Sequence, residues 1–316
     1  MHVTVVVCTY NRSALLRTAL QSIAASHMPA DCSWEILVAD NCSTDDTRQV
    51  VEQIGALHPG RLRWIFEPRP GKSYALNTAV LASNGSVLAF VDDDVTVDAD
   101  WLRELTAPLL AGPWVGAGGR VLAQWSLPSP SWLDPEGWMA VGPLVQFGSG
   151  LSTGPLHVTP VGANMAFHRD LFARYGGFRT DLGPRPGSEI RDEDSEFVRR
   201  LLRAGEPLHY TSSAIVYHPV TRERLTQKYF LAWWYAKGRT EIREHPPEGL
   251  RWRIAGVPLY LVRRTVRRAL QWMLTLDEQR RFDSKVCVWR LVGEIVECRY
   301  LATNPAFEPE SANVSR

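Results

Sequence analysis

The stretch SVLAFVDDD, residues 86–94, sets an apolar run directly before three consecutive carboxylates, Asp92, Asp93 and Asp94. Such a run suits a strand buried on both faces, as in a parallel sheet. Three comparable runs precede it: VTVVVC (3–8), EILVA (35–39) and RLRWIF (61–66). Segments of helical spacing lie between them. Ser13 is placed to cap the first, whose apolar face is Leu16, Leu20 and Ile23. Val50, Val51 and Ile54 mark the second, and Leu76, Ala79 and Val80 mark a third over 73–82. Strands alternating with helices in this way predict an α/β fold, a mostly parallel sheet flanked by helices.

In such sheets ligands bind beyond the carboxyl ends of the strands. The polar clusters fall there: Thr9, Tyr10 and Asn11 after the first strand, Asp40 after the second, Asp92–Asp94 after the fourth. Clustered carboxylates are hard oxygen ligands for Mg²⁺ or Mn²⁺, and such an ion bridges diphosphate oxygens. A solvated acidic turn is the plainer alternative. Asp40 suits a base N–H or ribose hydroxyl, or else belongs with Ser43–Asp46 to a helix-capping cluster. Lys72 sits in PGKS, which lacks the upstream glycine of a P-loop, yet its ammonium suits a phosphate.

The pattern changes near residue 112. Gly, Pro and Trp are frequent to residue 187, so long loops are expected, with Gly162-Ala163-Asn164 permitting close approach to a ligand. Trp125, Trp132 and Trp138 stack on an acceptor or pack internally. RDEDSE (191–196) then opens a helix over 192–204 with Phe197, Val198, Leu201 and Leu202 inward. Acids in a first turn favour the helix dipole. Four within five positions exceed that need, and one is a candidate general base. The preceding LGPRPGSE (182–189) suits a flexible lip. A strand over 208–217 leads to His218, a structural residue or a nitrogen ligand for the same metal.

The bulk properties exclude several classes. A net charge of +1 over 316 residues points to no nucleic-acid partner. Five cysteines without metal-binding spacing read as free thiols of a reducing compartment. No signal-type leader and no membrane-spanning apolar run is present, which predicts a cytoplasmic protein. Residues 257–276 carry Arg263, Arg264, Arg267 and Arg268 on one helical face, with Leu261, Val262, Val266, Ala269 and Met273 on the other. Such a helix suits peripheral contact with the inner face of an anionic membrane, or docks on the rest of the chain. Trp233-Trp234-Tyr235 upstream marks a membrane-interface belt or core, and residues 304–316 read as a frayed tail.

Taken in order, VVVCTYNR (5–12), VADNCSTDDT (38–47), RPGKSYALNTA (69–79), FVDDDV (90–95), GANMAFHR (162–169), DEDSEF (192–197) and YHPV (217–220) resemble the family 2 glycosyltransferases, inverting enzymes of GT-A fold. The resemblance implies a catalytic domain over 1–238, with a nucleotide-binding half (1–96) and an acceptor-binding half (97–238), and a C-terminal helical extension over 239–316. It implies that Thr9, Tyr10, Asn11, Arg12, Asp40, Lys72, Asp92, Asp93, Gly162 and Asn164 hold a nucleotide-sugar, typically a UDP-sugar with its base on Asp40. Asp94, Asp92 and His218 are implied as ligands of Mn²⁺ or Mg²⁺, Asp194 as general base, and Glu193 as its support. The acceptor is then a carbohydrate, lipid-linked or small-molecule hydroxyl, as in cell-envelope polysaccharide or glycolipid assembly or natural-product glycosylation. Two rivals stand beside this reading. A sugar-1-phosphate nucleotidyltransferase needs a Gly-rich loop where CTYNR stands, and a non-catalytic nucleotide-sugar scaffold has no use for the acids retained here.

Overall fold

The computed structural model describes residues 2–29, 31–247 and 252–304; the expected tail from residue 305 lies outside them. Strands β1 (His2–Thr9), β2 (Ser33–Asp40), β3 (Leu62–Phe66) and β4 (Val87–Asp92) pair in parallel in the order β3-β2-β1-β4. Helices α1 (Ser13–Ala24), α2 (Thr47–Leu57) and α3 (Lys72–Ala82) connect them. The apolar runs form strands because both sheet faces are covered. Val3, Val5 and Val7 pack toward α1 and α2, while Val6, Leu37, Leu88 and Phe90 pack with Leu76 and Val80 of α3.

After β4 come β5 (Thr96–Val97), α4 (Trp101–Ala111), β6 (Gly116–Trp125), α5 (Trp138–Leu144), β7 (Gly154–Pro155), β8 (Met165–His168), α6 (Asp170–Tyr175), α7 (Glu193–Arg203) and β9 (Leu208–Val220). They extend the sheet as β4-β8-β6-β9-β5, with β7 beside β9. Strand β8 is antiparallel to both neighbours, so β6 and β9 run in the direction of β1–β4. The sheet is mostly parallel, as expected.

Register sets the position of the loops. Thr9 stands opposite Asp40, and Cys8 opposite Asp92, so the carboxyl ends of β1, β2 and β4 are level. Side chains then join the loops. Asn11 takes a positive φ of 51°, which Asn tolerates better than most residues. Its Oδ1 accepts from the Thr44 backbone N–H at 2.7 Å, and its own N–H donates to Ser43 Oγ at 3.0 Å. Asn41 accepts from the Gly71 N–H and donates to the carbonyls of Glu67 and Arg69, binding the third loop to the second. The expected cap on Ser13 is corrected. Ser13 is the first residue of α1, and Asp45 from the neighbouring loop accepts its N–H at 2.9 Å. The same carboxylate accepts from Thr47 at the start of α2, so one residue serves two helix ends.

Three helices follow: α8 (Gln227–Glu244), α9 (Leu259–Leu274) and α10 (Glu278–Thr303). Helix α8 continues unbroken through residue 238, the boundary expected from the resemblance. A Cβ on Gly238 would stand 1.9 Å from the Arg290 carbonyl, and one on Gly293 2.1 Å from that of Tyr235. Glycine on both sides lets the α8 and α10 backbones touch. Trp132, Phe230, Trp234 and Phe282 form a further core where α8 and α10 meet α5. Trp132 and Trp234 are therefore packing residues, whereas Trp138 is half exposed against Trp234. Glu297 of α10, fully buried, takes Arg239 and Arg243 of α8, and Arg243 donates onward to the Asp181 carbonyl. Removing one member of a buried ion pair strands the others without water. Glu297→Ala is expected to cost about 3–5 kcal/mol, read from urea unfolding monitored by circular dichroism.

Candidate active site

Asp92, at the end of β4, accepts from Lys72 Nζ at 2.9 Å. Lys72 opens α3 and also lies 3.4 Å from Glu193 Oε1. Burial alone would lower the Lys72 pKa, but Asp92, Glu193 and Asp194 outweigh it and hold the ammonium charged. The helix that carries Lys72 is fixed by the loop expected as a lip. The Lys72 N–H donates to the Pro184 carbonyl at 3.0 Å, and Ser73 Oγ to the Leu182 carbonyl at 2.8 Å. The base of that loop is thus a structural tie.

Asp93 and Asp94 share one partner, Arg12. Arg12 Nη1 donates to Asp93 at 3.0 Å and to Asp94 at 3.3 Å. Burial raises the Asp93 pKa to about 6 against the pull of Arg12. Asp94 also accepts from Arg224 Nη2 at 2.9 Å, and His218 Nε2 lies 3.6 Å from its other oxygen. Arg224 was not expected. It stands in a loop six residues past His218, and no motif or spacing in VTRER distinguishes it from the adjacent Arg222.

His218 is buried in β9, its pKa lowered by desolvation, so its imidazole is neutral at physiological pH. A neutral ring nitrogen beside a carboxylate fits a divalent ion, since 3.6 Å lets both atoms reach one ion at bonds of about 2.1 Å. Asp92, the third expected ligand, is paired with Lys72. Among the described residues no three His, Cys, Asp or Glu side chains are grouped to hold a metal. Of the three expected ligands, the structure brings Asp94 and His218 together.

The acidic helix meets this cleft at its first turn. Asp192 takes a positive φ of 69° as the N-cap of α7 and pairs with Lys237 of α8. The turn buries Glu193 and leaves Asp194 half buried. Asp194 Oδ2 accepts from the Gly162 N–H at 2.6 Å, and Oδ1 from the Ser195 N–H at 2.6 Å. Burial raises the Asp194 pKa, and Lys72 opposes that rise. Glu193, more deeply buried, is raised to about 7.

The remaining expected residues divide. Tyr10 is 42% exposed at the mouth of the cleft, and Thr9 is buried at its floor. Asp40 is buried, with one oxygen accepting from the Ser43 N–H. Gly162 touches the Asp194 carboxylate. Asn164 is fully buried, accepts from Trp101 Nε1, and donates to the carbonyls of Arg120 and Ala214. Its amide thus braces the start of β8 against α4, β6 and β9.

A model of Glycosyl transferase family 2 matches residues 4–176, more than half of the chain. The chain belongs to glycosyl transferase family 2. The transferase is 29% identical over 260 residues to the succinoglycan biosynthesis protein ExoM of Rhizobium meliloti, covering 81% of this chain and 80% of that protein. It is 27% identical over 229 residues to the glucosyl-dolichyl phosphate glucuronosyltransferase of Haloferax volcanii, covering 71% of each. Among solved structures, the mannosyltransferase PcManGT of Pyrobaculum calidifontis, in complex with GDP-Man and Mn²⁺, superposes with a TM-score of 0.58 at 19% identity. That superposition covers 98% of this chain and 76% of the other. Residues 1–349 of S. aureus TarS in complex with UDP give 0.54 at 15%, covering 96% and 92%. At these identities the likeness establishes the fold, which is the expected GT-A type. Membership of the family sets aside the nucleotidyltransferase rival.

A Cβ at residue 162 would stand 2.2 Å from Asp194 Oδ2, closer than real contacts allow. Gly162→Ala therefore displaces the carboxylate. It is expected to lower glycosyl transfer by about 100-fold, the cost of roughly 1 Å of misplacement, with nucleotide affinity by calorimetry unchanged.

Proposed function

We propose that this glycosyltransferase moves a sugar from a nucleoside diphosphate, preferentially UDP, to an acceptor hydroxyl with inversion at the anomeric carbon. The observation that carries the reading is the position of Lys72, 2.9 Å from Asp92 and 3.4 Å from Glu193. It joins the strand ends suited to a nucleotide to the helix bearing the candidate base. The donor would lie across the level ends of β1, β2 and β4, with Tyr10 and Asp40 toward the base and Arg12, Lys72 and Arg224 toward the phosphates.

Asp194 is the group we assign as general base. It is more open than Glu193, and its two backbone N–H donors fix the carboxylate while favouring its ionised form. The acceptor oxygen attacks the anomeric carbon as Asp194 takes its proton. The bond from that carbon to the diphosphate oxygen breaks in the same displacement. Glu193 acts by holding Lys72 in place. A divalent ion on Asp94 and His218 would neutralise charge on the departing diphosphate. Charge balance supports such an ion. Among the described residues Asp92, Asp93, Asp94, Glu193 and Asp194 gather around Arg12, Lys72 and Arg224, and the donor adds further negative charge.

The acid limb of the pH profile follows from the raised Asp194 pKa. A base must be ionised, so transfer is lost as pH falls through a value above the ordinary 3.8 of an aspartate. Lys72→Met removes the cation that opposes the rise, and the limb should move to higher pH; an unmoved limb would exclude Asp194 as the titrating group. Asp194→Asn should lose about 10²–10⁴-fold in turnover while binding donor normally. Calorimetric titration of UDP, GDP and dTDP with and without Mn²⁺ tests the donor side. Metal-dependent preference for UDP is expected, and preference for GDP would overturn the uracil assignment at Asp40.

A further inference from the structure

Helix α9 is docked by one edge only. Leu261 alone is fully buried, with Thr265, Ala269 and Trp272 half buried along the same edge. Trp272 meets Trp289 of α10 edge-on, at 6.0 Å between rings. Arg263, Arg264 and Arg267 occupy a second face and are exposed. The third face is apolar and open. Val266 is 55%, Leu270 51% and Met273 62% exposed, at spacings of four and three that align them along one stripe. The chain continues through Leu274 and Leu276, more exposed still. The two-faced helix expected from the sequence is therefore three-faced, and Val266 and Met273 are not the side that docks.

We propose that α9 is an interfacial helix that seats the enzyme on an anionic lipid bilayer. The charge pattern selects this occupant. The helix carries four arginines and no acidic residue. Among the described residues none of the four lies within ion-pair distance of a carboxylate. An apolar stripe flanked by arginines lies in the plane of a membrane interface, aliphatic side chains toward the acyl boundary and guanidinium groups on lipid phosphates. A groove of about 550 Å³ between α8 and α10 adjoins this helix at Trp289. It is lined by Leu231, Ala232 and Tyr235, with Lys228 and Lys285 at its walls. This second surface is likewise bordered by cations. Among the described residues no helix is long and apolar enough to cross a membrane. The contact proposed is one that lies on the surface and does not span it.

The full chain is tested by co-sedimentation with vesicles of phosphatidylcholine alone or with 30% phosphatidylglycerol. These readings require neither donor nor turnover, so they stand or fall apart from the proposed reaction. Binding at least about tenfold stronger to the anionic vesicles is expected, at roughly fivefold per engaged cation, and should weaken in 1 M salt. The triple variant Val266→Asp, Leu270→Asp, Met273→Asp changes only open side chains. It should keep its melting temperature and UDP affinity while losing vesicle binding by tenfold or more. Arg263→Ala with Arg267→Ala should reduce the preference for anionic lipid. A wild-type chain that stays in the supernatant, or a triple variant that still sediments, overturns the proposal. So does light scattering that shows a dimer which the triple variant dissolves, since a second copy would then cover the stripe.

Discussion

A half-buried ammonium group among carboxylates organises this molecule. Desolvation works against a charge on Lys72, and only the nearness of Asp92, Glu193 and Asp194 keeps it there. The converse also holds: Asp92 is held ionised chiefly by Lys72. Neither the end of β4 nor the first turn of α7 could gather its acids at such density without that cation. The mutual dependence fixes the distance between two segments a hundred residues apart, and with it the width of the cleft.

Much of the fold was legible because its signals are local. Continuous β-branched runs announce parallel strands, and Asp92–Asp94 after one of them announces a site. The parts that were not legible depend on contacts across the chain. Asn164 resembles a ligand contact in sequence because it follows two small residues, yet Trp101, Arg120 and Ala214 claim its amide. Ser13 has the side chain of a cap, but Asp45 reaches the helix end first. Arg224 has no local signature at all. Only the return of β9 beside β6, with the loop that follows it, brings that guanidinium to Asp94.

The C-terminal helices divide into two kinds of surface. Helices α8 and α10 meet through paired glycines and a buried arginine–glutamate cluster, a contact as close as any in the core. Helix α9 has one buried residue and a stripe of aliphatic side chains in water. Burying an aliphatic side chain is worth about 1.5–3 kcal/mol, so an open stripe forgoes stabilisation that an ordinary docked helix would collect. Its aliphatic side chains contribute little to the fold as it stands.

The cluster at Glu297 also imposes an order on events during synthesis. Arg243 reaches the Asp181 carbonyl while bonded to a residue of the last helix, so the loop leading to Asp192 and Asp194 is fastened from a point more than a hundred residues downstream. The sheet can assemble while the ribosome is still translating α8. The loop before α7 cannot be fastened in this way until α10 has emerged. A nascent chain would therefore complete the parallel half of its sheet before it can lock the first turn of α7 in place.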